Sequence, residues 1–533
     1  MCPSKRFHAI DLEALFHALA RRQGAVWIDR DETGKRSFMA FHPVAQLRID
    51  ADEKSGSVGD PLKAIANFVG AVPPLGDDSG FVPHIAGFLA YDLGRWVEPR
   101  SLGGLRVDRR NPIVLLERYD AVAVLEPCEG DAEQPGGAAA VDPARSLVDL
   151  YLVGRDEAAL QKWERCLAEL AEPTEMPPGA RHDTSTLTSR PCREAHEAML
   201  RQALERIADG EVYEVNLASR FQARSTLSPA KLYWRLRHQQ AVRFGVYFAS
   251  EAATLLCRSP ERFLRIEGDL IRTEPIKGTR PRAAQPAEDD RLAEELLSSA
   301  KERAEHVMVV DLERNDLGRV CATGSVSVPS FARMEEFATV RHLVSTVAGQ
   351  LRPEVTLPDI LRATFPGGSI TGAPRLRAMQ TIDQLEEEPR GIYTGCMVWM
   401  SSARQLDSCI VIRSALAHAQ DAESPDSWLW EYAVGGGIVA DSEPTAEVDE
   451  LWWKARSFLD ALGVSQDERA NPPSAAAASA SAPASASGRR DTGLEDAASP
   501  AVEDRGADGV PPQHSGVPPQ HSGPASRRNT GTP

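Results

Sequence analysis

The chain has 533 residues and 57.9 kDa, with 42% apolar and 26% charged residues, a globular composition sized for one large body or two to three domains. Sixty Lys and Arg against 77 Asp and Glu leave a net charge of −17, which argues against nucleic acid or an anionic membrane as a general partner. Its eight cysteines lie far apart without a CxxC pair, so neither a zinc module nor a disulfide-dense secreted scaffold is indicated. No apolar run approaches the ~20 residues that span a bilayer, and the first residues lack a secretory h-region. A reduced, cytoplasmic protein is expected.

In chain order, residues 25–29 and 85–92 read as short strands among helices. The Pro/Gly/Asp-rich stretch 126–142 and the polar connection 172–190 mark a weak boundary between an N-terminal region, 1–175, and a segment 190–463. Met199, Leu200, Leu204 and Ile207 recur at helical spacing and predict a helix over 193–208; alternation over 212–221 predicts a strand. Another helix is predicted over 291–312, with Leu296, Ala300, Arg303, Val307 and Val310 on one face and Glu302, Glu305 and Val309 on another. A strand over 428–434 leads into a glycine triplet that reads as a turn. The last helix, 445–462, follows Pro444, where a missing N–H costs nothing, and turns Leu451, Ala455, Phe458 and Leu462 inward. Glu447, Glu450 and Lys454 share a different stripe. From 465 to 533 there is no aromatic residue, and a Gly-Val-Pro-Pro-Gln-His-Ser repeat occupies 509–515 and 516–522. So little apolar bulk cannot offset the entropy of ordering, and a disordered tail is expected.

Three familiar motifs fail on context. Gly435-Gly-Gly437-Ile-Val-Ala440 matches GxGxxG/A after a strand, but Asp441-Ser-Glu-Pro follows where a dinucleotide-binding helix should start. An anion held by backbone N–H groups of this glycine turn stays open. Ser298-Ser-Ala-Lys301 fits SxxK without its SDN or KTG partners, and no GxxxxGK[ST] exists.

Four other segments concentrate glycine, charge and hydroxyls. The first joins Ser259-Pro-Glu261-Arg to Thr273-Glu-Pro-Ile-Lys277-Gly-Thr-Arg. The second is Ala304-Glu305-His306 through Asp311-Leu-Glu313-Arg-Asn-Asp316. The third is Phe365-Pro-Gly-Gly-Ser369-Ile-Thr371-Gly-Ala-Pro374-Arg375. The fourth joins Val434-Gly-Gly-Gly to Glu447 and Glu450.

In this order they resemble the chorismate-utilising enzymes, a family that includes the first components of anthranilate and aminodeoxychorismate synthases and the isochorismate and salicylate synthases. The resemblance is dense over 190–460 and looser earlier, where residues 87–95 look like the family's YDLGR segment. It implies an α/β (α+β) fold with two facing antiparallel sheets, helices outside and the site in the cleft. Anthranilate synthases carry PIAGT at a turn where this chain has Pro275-Ile-Lys277-Gly-Thr, so this turn lysine, Lys277, resembles the aminodeoxychorismate branch. There the lysine attacks C2 of chorismate as the C4 hydroxyl departs; ammonia then attacks C4 and expels the lysine, giving 4-amino-4-deoxychorismate for 4-aminobenzoate and folate synthesis. A lysine becomes a nucleophile when it loses its proton. The alternatives are anthranilate synthesis and a catalytically silent chorismate-binding protein.

The same resemblance implies that Glu261 is the general acid, that His342 is an active-site residue, and that Glu305 and Glu450 hold Mg2+ against the substrate carboxylate. It implies chorismate contacts from Gly278, Thr279, Tyr393, Arg413, Gly435, Gly436, Gly437 and Lys454, an Arg fork suiting a carboxylate. Glu302 and Glu447 are expected as outer carboxylates. No glutamine-amidotransferase signature or lyase segment is found in the sequence, so a separate glutaminase subunit supplying ammonia is expected. The chain departs from the family at Glu214, Arg375 and Val398.

Overall fold

The computed structural model describes residues 4–29, 36–51, 59–75, 81–128, 147–170, 184, 187–239, 242–337, 340–418 and 427–464. The described residues fall in one compact unit, and the whole expected tail 465–533 lies outside the described residues. So do most of the two boundary stretches near 126–142 and 172–190.

Every strand pair is antiparallel, in one sheet of twelve strands and one of ten. Both sheets interleave strands from the two halves of the sequence: Val26–Asp29 pairs with Phe244–Ala249, and Ile85–Leu89 pairs with Cys396–Ser402. Period-two alternation builds the core between them. Along Val26–Asp29, Val26 and Ile28 point between the sheets while Trp27 joins an outer cluster with Phe16 and Leu15. Along Cys396–Ser402, Met397 and Trp399 meet Phe244 between the sheets, whereas Val398 and Met400 face out under Ile65 and Leu361. Helices cover much of the outer faces, while the strand Ser327–Glu336 keeps an exposed face. Among the described cysteines, Cys192, Cys257, Cys321, Cys396 and Cys409 are free thiols. No helix among the described residues is long and apolar enough to cross a membrane.

The helix predicted over 193–208 is Arg193–Ala208, and that over 445–462 is Pro444–Leu462, with Leu451, Ala455, Phe458 and Leu462 buried. The helix predicted over 291–312 is instead two, Pro286–Ser298 and Ala300–Gly318. Ser299 leaves helical geometry, and its side chain accepts from the N–H of Glu302, restarting the helix as an N-cap. On the second helix Val309, Val310 and His306 are buried, while Val307, placed on one face with Val310, is 51% exposed, so that face is not a continuous buried stripe. Residues 85–92 shorten to a strand Ile85–Leu89 followed by a 3₁₀ turn Tyr91–Leu93.

A second correction concerns the glycine triplet. Gly435, Gly436 and Gly437 are strand residues of Trp428–Ile438, paired with Ala218, Leu217 and Asn216, and form no turn. The strand Ala415–His418 covers the other edge only as far as Tyr432, leaving the glycines' edge without a strand partner among the described residues. The third correction is at Lys277, expected on a turn. It lies in the strand Ile276–Pro281, where Lys277 faces Leu343 and Thr279 faces His342. Gly278 is the extra residue of this bulge, at φ 78°, a conformation glycine reaches without strain.

One buried ion cluster ties this region together. Arg262 is completely buried; it donates to both oxygens of Asp407 at 3.0 Å and to Glu274 at 2.5 Å. Removing the guanidinium takes one of two arginine partners from each carboxylate, leaving Arg265 on Asp407 at 3.1 Å and Arg243 on Glu274 at 2.6 Å. Arg262→Ala is therefore expected to cost on the order of 3 kcal/mol in lost charge-assisted hydrogen bonds, read as a lowered midpoint in thermal or urea unfolding.

Candidate functional site

The site lies where the two sheets' ends converge. Ile276–Pro281 is an edge strand of the ten-stranded sheet, and Glu214–Ser225 and Trp428–Ile438 lie near one end of the other. With helices Ala300–Gly318 and Pro444–Leu462 they enclose a cavity of about 410 Å³. All thirteen residues singled out from the sequence line it: Lys277, Glu261, His342, Gly278, Thr279, Tyr393, Arg413, Gly435, Gly436, Gly437, Lys454, Glu305 and Glu450. Residues 150 or more apart in sequence thus share one wall.

Lys277 projects from the bulged strand, and its ammonium contacts the carboxylate of Glu214. Burial pushes this lysine's proton affinity down, but the charges of Glu214, Glu305 and Glu261 outweigh it and hold the group above the usual lysine range. Gly437 makes room for the pair: a methyl there would sit 2.4 Å from Glu214 Oε1 and 3.0 Å from Lys277 Nζ. Gly437→Ala should accordingly displace the lysine and lower turnover by about 10²-fold, a misplacement effect measured in steady-state kinetics.

Glu261 is 4% exposed. Burial pushes its carboxyl up to about 7, against the opposing pull of Ser369, whose hydroxyl donates to Oε1 at 2.5 Å, and of the nearby Lys277 charge. The carboxyl therefore holds its proton much closer to neutral pH than an ordinary glutamate, the condition for a general acid. His342 is pushed down to about 4 by burial and by the neighbouring Arg413, so its imidazole is neutral; Nδ1 lies 2.9 Å from Thr279 Oγ1. Tyr393 is half-buried, and desolvation pushes its phenol well above the usual range.

Cations and acids are interleaved on the opposite wall. Lys454 pairs with Glu450 at 2.9 Å and donates to the carbonyl of Gly435 at 3.1 Å. Arg280 pairs with Glu302 at 3.2 Å, Lys301 lies 4.0 Å from Glu305, and Ser442 donates to Glu447 at 2.7 Å. Arg413 is the cavity cation without a carboxylate in ion-pair range among the described residues; it sits at φ 52°, an uncommon conformation for a side-chain-bearing residue. Its guanidinium donates to the carbonyl of Lys454 at 3.3 Å, which leaves its charge for a ligand carboxylate. Glu305 is pushed up to about 7 by burial and by the like charges of Glu214 and Glu302, which outweigh the lysines. No group of three or more His, Cys, Asp or Glu side chains is gathered around one metal-sized point among the described residues.

Several contributors are given no role by the sequence, although Ser369 and Asp92 lie in segments singled out there. Asn216 lines the cavity with a buried Oδ1 that has no hydrogen-bond partner among the described residues. Ser369 orients Glu261. Arg390, fully enclosed, pairs with Glu386 at 2.8 Å, donates to the carbonyls of Asn216 and Ile370, and lies 4.8 Å over the Tyr91 ring. Asp92 of the YDLGR segment accepts from the N–H of Asp108 and of Gly391, fastening the first half to the loop bearing Tyr393. Two of the sequence departures lie away from the cavity. Arg375 is buried against Asp316 at 2.6 Å and the carbonyl of Ala363 at 2.8 Å, and Val398 faces Gly87 across its strand pair. Only Glu214 touches the site.

The chain is similar to known proteins along most of its length. A profile of the chorismate binding enzymes matches residues 23–460. Anthranilate synthase component 1 of Aquifex aeolicus (strain VF5) is 35% identical over 425 residues, 77% of this chain and 81% of that one. Aminodeoxychorismate synthase component 1 of Escherichia coli (strain K12) is 35% identical over 417 residues, 78% of this chain and 85% of that one. Among solved structures, anthranilate synthase component I of Streptococcus pneumoniae TIGR4 superposes with a TM-score of 0.64 at 27% identity, covering 80% of this chain and 93% of that chain. The chain belongs to the chorismate-binding enzyme family, and is a chorismate-utilising enzyme built on that family's two-sheet fold.

Proposed function

We propose that the protein is the synthase component of an aminodeoxychorismate synthase, converting chorismate and ammonia to 4-amino-4-deoxychorismate. The observation that carries this reading is the Lys277 amine, presented by the Gly278 bulge into the same cavity as the proton-holding carboxyl of Glu261. Overall identity does not separate the branches, since the two relatives named above stand at 35% each. A primary amine inside the cavity supports the aminodeoxychorismate reading, because it offers a nucleophile that an alanine at this position lacks.

In this reading Glu261 gives its proton to the departing C4 oxygen while Lys277 bonds to C2. Arg413 and Lys454 take the substrate carboxylates, and the unpaired edge of Gly435, Gly436 and Gly437 supplies N–H donors. His342, neutral, fixes the Thr279 hydroxyl beside the lysine. Glu305 and Glu450 suit Mg2+: two carboxylates on one wall leave the remaining positions to water and a substrate carboxylate, as that ion prefers. The ion would neutralise carboxylate charge on substrate and protein. Ammonia is assigned to a separate glutaminase subunit.

The second reading, anthranilate synthesis, is favoured by the equal similarity to the Aquifex aeolicus enzyme. Incubating the protein with chorismate, ammonium and Mg2+, with and without an aminodeoxychorismate lyase, separates them. Product that becomes 4-aminobenzoate only when lyase is added is expected; anthranilate formed without lyase would overturn the proposal.

A further inference from the structure

Lys277 is positioned as a nucleophile yet held as an ammonium, which has no lone pair to attack with. Three carboxylates act on it: Glu214, Glu305 and Glu261. Glu261 is engaged by Ser369, and Glu305 belongs to the opposite helix, where Lys301 faces it. Glu214 alone is in contact with Nζ among the described residues. It is 2% exposed, begins the strand Glu214–Ser225, and is locked in register by Ala373 on one side and Ile438, through the next residue, on the other. The missing side chain of Gly437 leaves the volume in which the two groups meet.

We propose that Glu214 is the proton shuttle of Lys277, a role that rests on the function proposed above. In the first half-reaction one proton passes from the Lys277 ammonium to a Glu214 oxygen, giving a neutral amine and a carboxylic acid. The amine lone pair forms the N–C2 bond, the ring double bonds shift, and the C4–O bond breaks with the Glu261 proton, releasing water. In the second half-reaction ammonia bonds to C4 and returns a proton to Glu261. The double bonds shift back, the N–C2 bond breaks, and Glu214 gives its proton to the departing lysine. Every protein group ends as it began, and the sum is chorismate plus ammonia to aminodeoxychorismate plus water. A carboxylate serves both halves because it is the base in one direction and its conjugate acid in the other.

The test compares the parent with Glu214→Gln, which keeps the size of the side chain, and with Glu214→Ala. Formation of the chorismate–Lys277 adduct without ammonium is followed by intact mass from about pH 6 to about pH 9.5, with thermal unfolding and chorismate binding as controls. The groups facing the pair (Glu261, Glu305, Glu302 and Lys301) are common to all three proteins. The Gln variant is expected to form adduct about 10²-fold more slowly near pH 7 and to gain about tenfold per pH unit, as solvent must take the proton. Formate is expected to restore part of the rate to Glu214→Ala near neutrality. A Gln variant with the parent's rate and pH profile, or a uniform loss at every pH without formate rescue, overturns the shuttle while leaving the lysine nucleophile intact. A parent protein that forms no Lys277 adduct overturns the underlying reading, and the shuttle with it.

Discussion

Replacing Lys277 by alanine is expected to lower ammonium-dependent product formation on the order of 10⁴-fold, equivalent to about 5 kcal/mol of barrier. The amine cannot be supplied by a neighbour: Arg413 and Lys454 approach from another wall, and Lys454 is tied to Glu450 and the Gly435 carbonyl. The same change leaves Glu214 buried without its cation, which should cost about 3–5 kcal/mol of stability. Lys277→Met fills the volume better and separates the two effects. A loss of turnover in both variants, with chorismate binding retained in a calorimetric titration, assigns the loss to chemistry. Retained turnover in either would remove the nucleophile from the account.

Glu261→Gln should be the second most damaging change, lowering turnover by about 10²–10⁴-fold, because an amide cannot release a proton to the leaving oxygen. Its stability effect has the opposite sign. The folded carboxyl is raised from 4.5 to about 7 by burial, so folding favours the protonated form. That contribution is complete below pH 4.5 and is lost as pH rises through about 7. Above pH 7 the parent carries a buried carboxylate that the glutamine variant lacks. The variant is therefore expected to be more stable there, by about 3 kcal/mol, seen as a higher melting temperature, and to match the parent near pH 4. Turnover in the parent should fall as pH rises through about 7 for the same reason. An unchanged melting difference between acid and alkaline pH would show that Glu261 is not held neutral.

The two predictions draw on features of unequal visibility in the sequence. Chemistry-bearing segments were legible: thirteen residues spread over nearly two hundred positions fall in one cavity. Helices with strong periodicity and proline entry, Arg193–Ala208 and Pro444–Leu462, were legible to within a residue or so. Local pattern misled where one residue outvotes its neighbours. Ser299 breaks an otherwise helical run by capping Glu302, and Val307 in the restarted helix is exposed. Three consecutive glycines suggested a turn, yet pairing with residues 216–218 keeps them extended, and their missing side chains open space for the Lys277–Glu214 contact. What no window of sequence carries is partnership at long range. The Ser369 hydroxyl on Glu261, Arg390 bridging Glu386 to Asn216, and the 63-residue separation of Glu214 and Lys277 follow from sheet order. That order brings the strand at 26–29 beside the one at 244–249, which periodicity cannot foresee.

The central claim is that Lys277 bonds to the substrate. Incubating the protein with chorismate and Mg2+ in the absence of ammonium, then quenching and measuring the intact and peptide masses, tests it most directly. The account predicts a mass gain of chorismate less one water, located on the peptide containing Lys277 and absent from Lys277→Ala. An unmodified Lys277 in protein that still turns chorismate and ammonium into product would contradict it.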